Sequence, residues 1–288
     1  MALRAVKALE SWIQRRPKSF EAELEVTLRF LLRAQPSMAP FWRLANLVAL
    51  AVEGKKPRMT LRQGLRSIGR ILQVGRQRIG QYLFDALPRR ADNLIATYSY
   101  SSTVVHALIR ARSRILSVYC SEGRPANEGR VMAERLSKAG IQVLFCTDAM
   151  LFSNLGYWKH LVVGADAVLP YAIQNKVGTD VIFREAQERR AKIWILADTT
   201  KLCPRTMFGL GFHQAGDPAD ENQIWDHPPN GVFVFGGCFE RTKLPARARI
   251  VTECGIMQPT ELRRYMRRIR VARQLEDVSG LNLVMGKG

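Results

Sequence analysis

A chain of 288 residues is long enough for one large domain with an appendage, and its 47% apolar and 24% charged residues match a soluble globular protein, which excludes disorder as the source of its charge. Its 44 Lys and Arg against 25 Asp and Glu give +19, and residues 1–90 hold 18 of the bases and 6 of the acids, so the N-terminal third alone carries +12. That balance favours an acidic protein or RNA as a partner.

No apolar stretch approaches the ~18–20 residues of a membrane span, so no membrane is expected. Five scattered cysteines without CxxC spacing argue against a disulfide framework or zinc ribbon and point to a reducing cytoplasm. The four histidines share no ligand spacing; no metal and no cofactor are expected.

Up to about residue 88 the pattern is helical. "VKALESWI", "FEAELEVTLRFLLRA" and "FWRLANLVALAVE" repeat apolar residues at three and four, with Pro17, Pro36, Pro40 and Pro57 between them. The next helix is expected to start at the capping-box spelling Thr60-x-x-Gln63. Leu61, Leu65, Ile68 and Leu72 run down one face, and Arg62, Arg66 and Arg70 form an exposed stripe beside it. Its glycines at 64, 69, 75 and 80 each cost a helix about 1 kcal/mol against alanine, so it needs packing, and the small residues let another helix approach.

From Asn93 the period changes. "NLIATYS", "ILSVYCSE", "IQVLFCTD", "HLVVGAD" and "KIWILAD" are short β-rich runs separated by helix-like stretches, the alternation of βαβ crossovers and a parallel, doubly wound sheet. The expectation is an α/β protein in two parts, an N-terminal helical domain (1–88) and a Rossmann-like domain (89–288). Ligands of such sheets collect beyond the carboxyl ends of the strands, and the polar clusters fall there.

After "NLIATY" come Ser99, Ser101, Ser102 and Thr103, which either cap a helix or cradle a phosphate with its free N–H groups. "SEGRPANEG" offers Arg124 as an anion fork, or as a partner for Glu122 or Glu128. "VVGADAVLPYAIQNKVGT" puts Asp166, Asn175 and Lys176 close together, with Lys176 a candidate ion partner of Asp166, Asn175 able to bond either the loop or a ligand, and Gly178-Thr179 as turn and N-cap of a helix reaching about Ala191. Three strand ends of one sheet then favour a small anionic ligand.

Other signals are weaker. Cys120 and Cys146 read as small core residues. "GLGF" (Gly209 to Phe212) lacks a preceding strand and a third glycine, and reads as a loop. "LRRYMRRIRVARQL" (Leu262 to Leu275) reads as a late arginine-rich helix. "VFVFGGCFE" (Val232 to Glu240) is either a core strand or part of an interface.

With "RAQPSMAPFWRLANLV", "YSYSSTVVHAL", "ADTTKLCP" and "CFERTKLPARARIVTECGIMQP" added, the sequence resembles the family that joins the alpha, beta and delta regulatory subunits of translation initiation factor 2B to two sugar-phosphate isomerases, those of methylthioribose 1-phosphate and ribose 1,5-bisphosphate. The resemblance implies a helical N-terminal domain, a Rossmann-like C-terminal domain and dimerisation through the latter. For the isomerases it implies a cysteine after the first strand and the GAD aspartate as an acid/base pair, with the asparagine and lysine holding substrate. Asp166, Asn175 and Lys176 match.

The cysteine's place is held by Ser99, whose hydroxyl lacks a thiol's acidity, and Glu128 stands where the isomerases usually carry glutamine. Lys243 and the unusual "TMFGLGFHQAGDPADENQIWDHPPNG" also depart from the pattern. The combined expectation is a regulatory or binding protein like the initiation factor 2B subunits rather than an enzyme. It would hold a phosphorylated small molecule, a sugar phosphate or nucleotide, through Ser99, Ser101, Ser102, Arg124, Glu128, Asp166, Asn175 and Lys176. It would also form a homodimer or assemble with related subunits. The alternative is an aldose–ketose isomerase working through Asp166 without the cysteine.

Overall fold

The computed structural model describes residues 2–15, 19–34, 38–153, 157–204 and 223–276. "GLGF", His213 and most of the unusual insertion lie outside them. Four helices open the chain: α1 (Ala2–Gln14), α2 (Phe20–Ala34), α3 (Ala39–Glu53) and α4 (Pro57–Ala86). Their apolar stripes meet in one core that holds Leu24, Trp42, Leu44, Leu61 and Leu65.

α4 starts three residues before Thr60, because Pro57 sits in its first turn, where a missing N–H costs nothing and φ is already helical. Its 30 residues give a rod of about 45 Å. The first half packs in the helical core through Leu61, Leu65 and Ile68, while Ile79 and Leu83 pack on the sheet beside Val104 and Leu108. The glycines allow the close approaches: a Cβ at Gly64 would stand 2.1 Å from Leu47 Cδ1, and one at Gly80 would stand 3.4 Å from Ala107 Cα. Arg62, Arg66 and Arg70 are exposed.

A seven-stranded sheet follows, containing β1 (Asn93–Thr97), β2 (Ile115–Ser121), β3 (Val143–Cys146), β4 (His160–Gly164), β7 (Lys192–Leu196), β9 (Arg249–Thr252) and β10 (Gly255–Met257). The strand order is β10-β9-β7-β4-β1-β2-β3, and all pairs are parallel except β9 with β10. The helices between them are α5 (Ser102–Arg110), α6 (Gly129–Lys138), α7 (Asp148–Phe152) and α8 (Thr179–Glu188). Strand order reverses between β1 and β4, the switch point of a doubly wound sheet.

Three expectations change. A second, antiparallel sheet of β5 (Ala167–Val168), β6 (Ala172–Lys176) and β8 (Phe239–Lys243) carries Asn175 and Lys176, so these do not end a strand of the main sheet. In Val232–Glu240 the strand begins only at Phe239. The part before the Gly236-Gly237 break is irregular, with Phe233 94% and Phe235 96% exposed, so it is not a core strand.

The late arginine run is not one helix either. Pro259–Met266 is helical and places Leu262 and Met266 against the sheet, whereas Val271, Ala272 and Leu275 join the helical core. The chain turns between two cores. Asn46 of α3 clasps that turn, donating to Arg270 O at 2.9 Å and accepting from Ala272 N at 2.9 Å.

Candidate functional site

β1 ends in Thr97, and the chain turns sharply at Ser99 to start α5. Ser99 holds φ +63, a left-handed conformation that side chains with a Cβ rarely adopt and that costs of order 1 kcal/mol. That turn carries its hydroxyl toward α6, where Ser99 Oγ donates to Glu128 Oε1 at 2.9 Å. Lys176 Nζ, 4% exposed, reaches the same oxygen at 2.6 Å. Ser99, Glu128 and Lys176 thus form a compact cluster from three elements, and Glu128 Oε2 lies buried beside it with no partner among the described residues. An acceptor left in that state is costly unless something donates to it.

Ser101 caps α5, its Oγ accepting from Val104 N at 3.4 Å, and Ser102 is the first helical residue. The cap is also a contact. A Cβ on Gly164, at the end of β4, would stand 2.7 Å from Ser101 Oγ, so the serine turn lies directly over the strand that leads to Asp166.

Asp166 follows between β4 and β5. Its backbone is pinned by Gln174 O (2.9 Å from Asp166 N) and by Ala39 N at the start of α3, which donates to Asp166 O at 3.3 Å. Burial pushes its carboxyl above the usual range, against the pull of Lys201 and Lys176 and with the Glu128 charge adding to the rise.

The expected Asp166–Lys176 ion pair is not made. β6 directs Lys176 to Glu128 instead. Asn175 Nδ2 donates to Thr179 Oγ1 at 3.1 Å, which in turn donates to Lys176 O at 2.6 Å, so that the two polar residues are locked to the turn that follows them. The N-cap of α8 is Gly178 rather than Thr179. Its φ of +96 suits glycine, and a Cβ there would strike Tyr98 Oη at 2.6 Å. α8 ends at Glu188.

Arg124 stands apart. It is exposed, and its guanidinium makes no ion pair among the described residues, neither with Glu122 nor with Glu128. What holds its turn is Asp148, at the start of α7, whose carboxylate accepts from Gly123 N at 2.9 Å and Arg124 N at 2.7 Å. The structure therefore brings Ser99, Glu128 and Lys176 into contact, places Ser101, Asp166 and Asn175 around them, and leaves Arg124 exposed and apart from them.

Asp148 and Lys201 were missed in the sequence. Lys201 Nζ donates to Ala165 O at 2.6 Å and is the foremost positive charge acting on Asp166. Asp148 follows the end of β3, so the strand-end rule that found the serines would have found it. Cys120, buried at the end of β2, is pushed up to about 12 by burial, and burial also raises Cys146; neither is disposed to be a thiolate.

Fold and site together define an α/β protein whose polar groups gather at the switch point of a parallel sheet, where such sheets hold small ligands. The chain belongs to the initiation factor 2 subunit family, whose model matches residues 1–259. Among curated proteins it is 30% identical to ribose 1,5-bisphosphate isomerase of Thermococcus kodakarensis, over 64% of this chain and 58% of that protein. It is 26% identical to the Haloferax volcanii protein of the same name, over 88% and 80%. The chain thus spans less than two thirds of the first relative's length.

Among solved structures, the translation initiation factor eIF-2B of Pyrococcus horikoshii OT3 matches with TM-score 0.70 at 21% identity, over 90% of each chain. The 5-methylthioribose 1-phosphate isomerase of the same organism matches at 0.58 and 19%, over 79% of this chain and 68% of that one. These likenesses establish the fold.

Proposed function

We propose that this chain is a regulatory or binding protein of the initiation factor 2B type that holds a phosphorylated small molecule at the β1/β4 crevice without turning it over. One observation carries this reading: the residue in the turn after β1 is Ser99, and its hydroxyl is engaged by Glu128, which is itself paired with Lys176. Aldose–ketose isomerisation moves a proton between adjacent carbons and needs an acid and a base in reach. The Ser99 hydroxyl, which lacks a thiol's acidity, supplies neither near neutral pH.

The same cluster is suited to binding. The N-terminal N–H groups of α5 and the hydroxyls of Ser101 and Ser102 attract a phosphate, Asn175 and Asp166 address sugar hydroxyls, and Glu128 Oε2 awaits a donor. Glu128 also neutralises Lys176, which disfavours a second phosphate at that end and favours a monophosphate that offers a hydroxyl there.

Ribose 1,5-bisphosphate and methylthioribose 1-phosphate offered to the wild type, Ser99→Cys and Asp166→Asn test this reading. Expected are binding by the wild type, seen as a ligand-dependent rise in melting temperature that is larger for methylthioribose 1-phosphate than for the bisphosphate, and turnover far below about 1 s⁻¹. Wild-type turnover above that rate, abolished in Asp166→Asn, would overturn it.

The alternative, a sugar-phosphate isomerase, draws on the names of the curated relatives and on Asp166, whose burial favours the protonated form an acid catalyst needs. The same assay separates the two.

Assembly belongs to this proposal. The exposed Phe233 and Phe235 suit a homodimer or a contact with related subunits, and the solved neighbours include a tetrameric eIF2B beta2-delta2 complex from C. thermophilum. Sedimentation is expected to show a species larger than a monomer at micromolar concentration, and Phe233→Ser with Phe235→Ser is expected to weaken it.

A further inference from the structure

The serine turn occupies the N-terminal end of α5. At its other end, about 13 Å away for nine residues, lies a concavity of about 560 Å³ between α4 and α5, lined by Gln77, Arg78, Gln81, His106, Arg110 and Arg112 among others. A neighbouring hollow of about 340 Å³ shares Arg110 and Arg112. Such volumes are those of small-ligand sites. Three guanidiniums converge here from two helices and the turn after α5, and none of them is ion-paired among the described residues.

One carboxylate joins this network, a single negative charge against the three guanidiniums: Asp85 accepts from Gln81 Nε2 at 2.9 and 3.0 Å. Gln81 Oε1 in turn accepts from Arg110 Nε at 2.9 Å and from its Nη2, which fixes the guanidinium while leaving donors free. Burial, then the charges of Arg76 and Arg110, hold His106 below its ordinary value, so the cleft is a place of positive potential.

We propose that this cleft is a second binding site, separate from the β1/β4 crevice, for a compact anion carrying several phosphate charges. Planar, permanently charged forks are the side chains that recognise phosphate oxygens in pairs. A nucleic acid strand fits less well. No Phe, Tyr or Trp lines the main cleft to stack a base, and the ring of Phe84 in the adjoining hollow is covered by Arg114 at 3.8 Å. The exposed Arg62, Arg66 and Arg70 lie further along α4, Arg70 two turns before Arg78, outside the cleft.

Calorimetric titration of the full chain with inorganic triphosphate at low ionic strength tests this. The wild type is expected to bind. Arg78→Gln with Arg112→Gln, both exposed and so without consequence for folding, is expected to lose about tenfold or more, as for the loss of one or two charge-assisted bonds. Arg62→Gln with Arg66→Gln and Arg70→Gln is expected to stay within about twofold.

A second readout is the His106 imidazole titration followed by NMR. The charged groups facing it are Arg76 and Arg110; bound triphosphate offsets them, so the folded value rises and binding is accompanied by proton uptake. Binding unaltered in the Arg78/Arg112 variant, or a His106 titration unmoved by triphosphate, overturns the proposal. So does single-stranded RNA binding more tightly than triphosphate and weakened by the Arg62/Arg66/Arg70 variant, which would assign the positive charge to a polyanion track along α4.

Discussion

The helical region and the sheet region bury different things. Of the buried polar or charged side chains, Asn46 is the one that precedes Asn93 among the described residues, and its bonds leave the helical region for the backbone at Arg270 and Ala272. The helices meet through leucines and glycines and put most of their arginines outside; Arg43 of α3 is the exception, its Nε buried and its pKa lowered by that burial. The sheet region instead sinks Thr97, Ser99, Ser121, Asn175, Lys176, Asp198 and Glu253 near the ends of its strands. Burying polar groups costs stability unless each is matched, so their concentration beyond the strand ends marks where the chain has accepted that cost. The helical region carries most of the net charge; the sheet region holds the clustered buried polar groups.

If that contrast is right, single changes near the strand ends should cost more than changes of similar size among the helices. The largest effect is expected at Gly129. A Cβ there would lie 1.8 Å from Ser121 O, and backbone cannot yield as a side chain can. Gly129→Ala should cost roughly 3 kcal/mol, the upper range for overpacking, and should displace Glu128 next to it. Gly64→Ala, whose Cβ would find Leu47 side-chain atoms rather than backbone as its three nearest neighbours, should cost about 1 kcal/mol. Equal destabilisation of the two in urea melts would count against the contrast.

Next comes the pair itself. Lys176→Met leaves Glu128 without its cation while Ser99 still donates to it. The lysine is 4% and the carboxylate 23% exposed, so the loss should fall near the lower bound for broken buried pairs, about 3 kcal/mol or slightly less. Lys176→Met with Glu128→Leu should recover most of it, because two apolar groups need no match. Failure of the double variant to recover would mean that Ser99, Asn175 and the turn at Gly178 depend on the ion pair for their placement.

Asn46→Ala probes a fully buried polar side chain of the helices. It strands the Arg270 carbonyl and the Ala272 N–H, for about 2 kcal/mol. Its distinctive sign is spatial: amide exchange should accelerate at Ala272 and Leu275 and not at the serine turn.

The parallel sheet was legible because strands buried on both faces write continuous apolar runs such as Leu161-Val162-Val163, and the helices because their stripes repeat at three and four. The serine turn and the GAD segment were legible because polar residues follow those runs directly. Partnerships were not. Nothing in the spacing says that Lys176 turns to Glu128, 48 positions earlier, rather than to Asp166, because that depends on a small antiparallel sheet whose strand β5 is two residues long. The late arginine run misled for a related reason: its apolar residues keep helical spacing but belong to two different cores, which only the tertiary fold separates.

The smallest expected effect concerns Asp166, and its sign is opposite to that of most carboxylates. Burial raises its folded pKa above the unfolded value of about 3.8, with Lys201 and Lys176 only partly offsetting the rise. The folded state then binds the proton more tightly than the unfolded chain, so the contribution is fully present below the unfolded value and is lost as pH rises through the folded one. At neutral pH the wild type is therefore carrying a cost that an uncharged amide of the same shape does not. Asp166→Asn should melt at a slightly higher temperature than the wild type near pH 7, and the two curves should converge as pH falls toward about 4. The same variant should bind a phosphorylated sugar less well, since the amide replaces one acceptor with a donor. Higher stability together with weaker binding is the mark of a residue kept for its ligand. An Asp166→Asn variant that is less stable at neutral pH would instead make Asp166 a structural partner of Lys201 and Lys176, and would move the ligand's recognition to Glu128 and the serine turn.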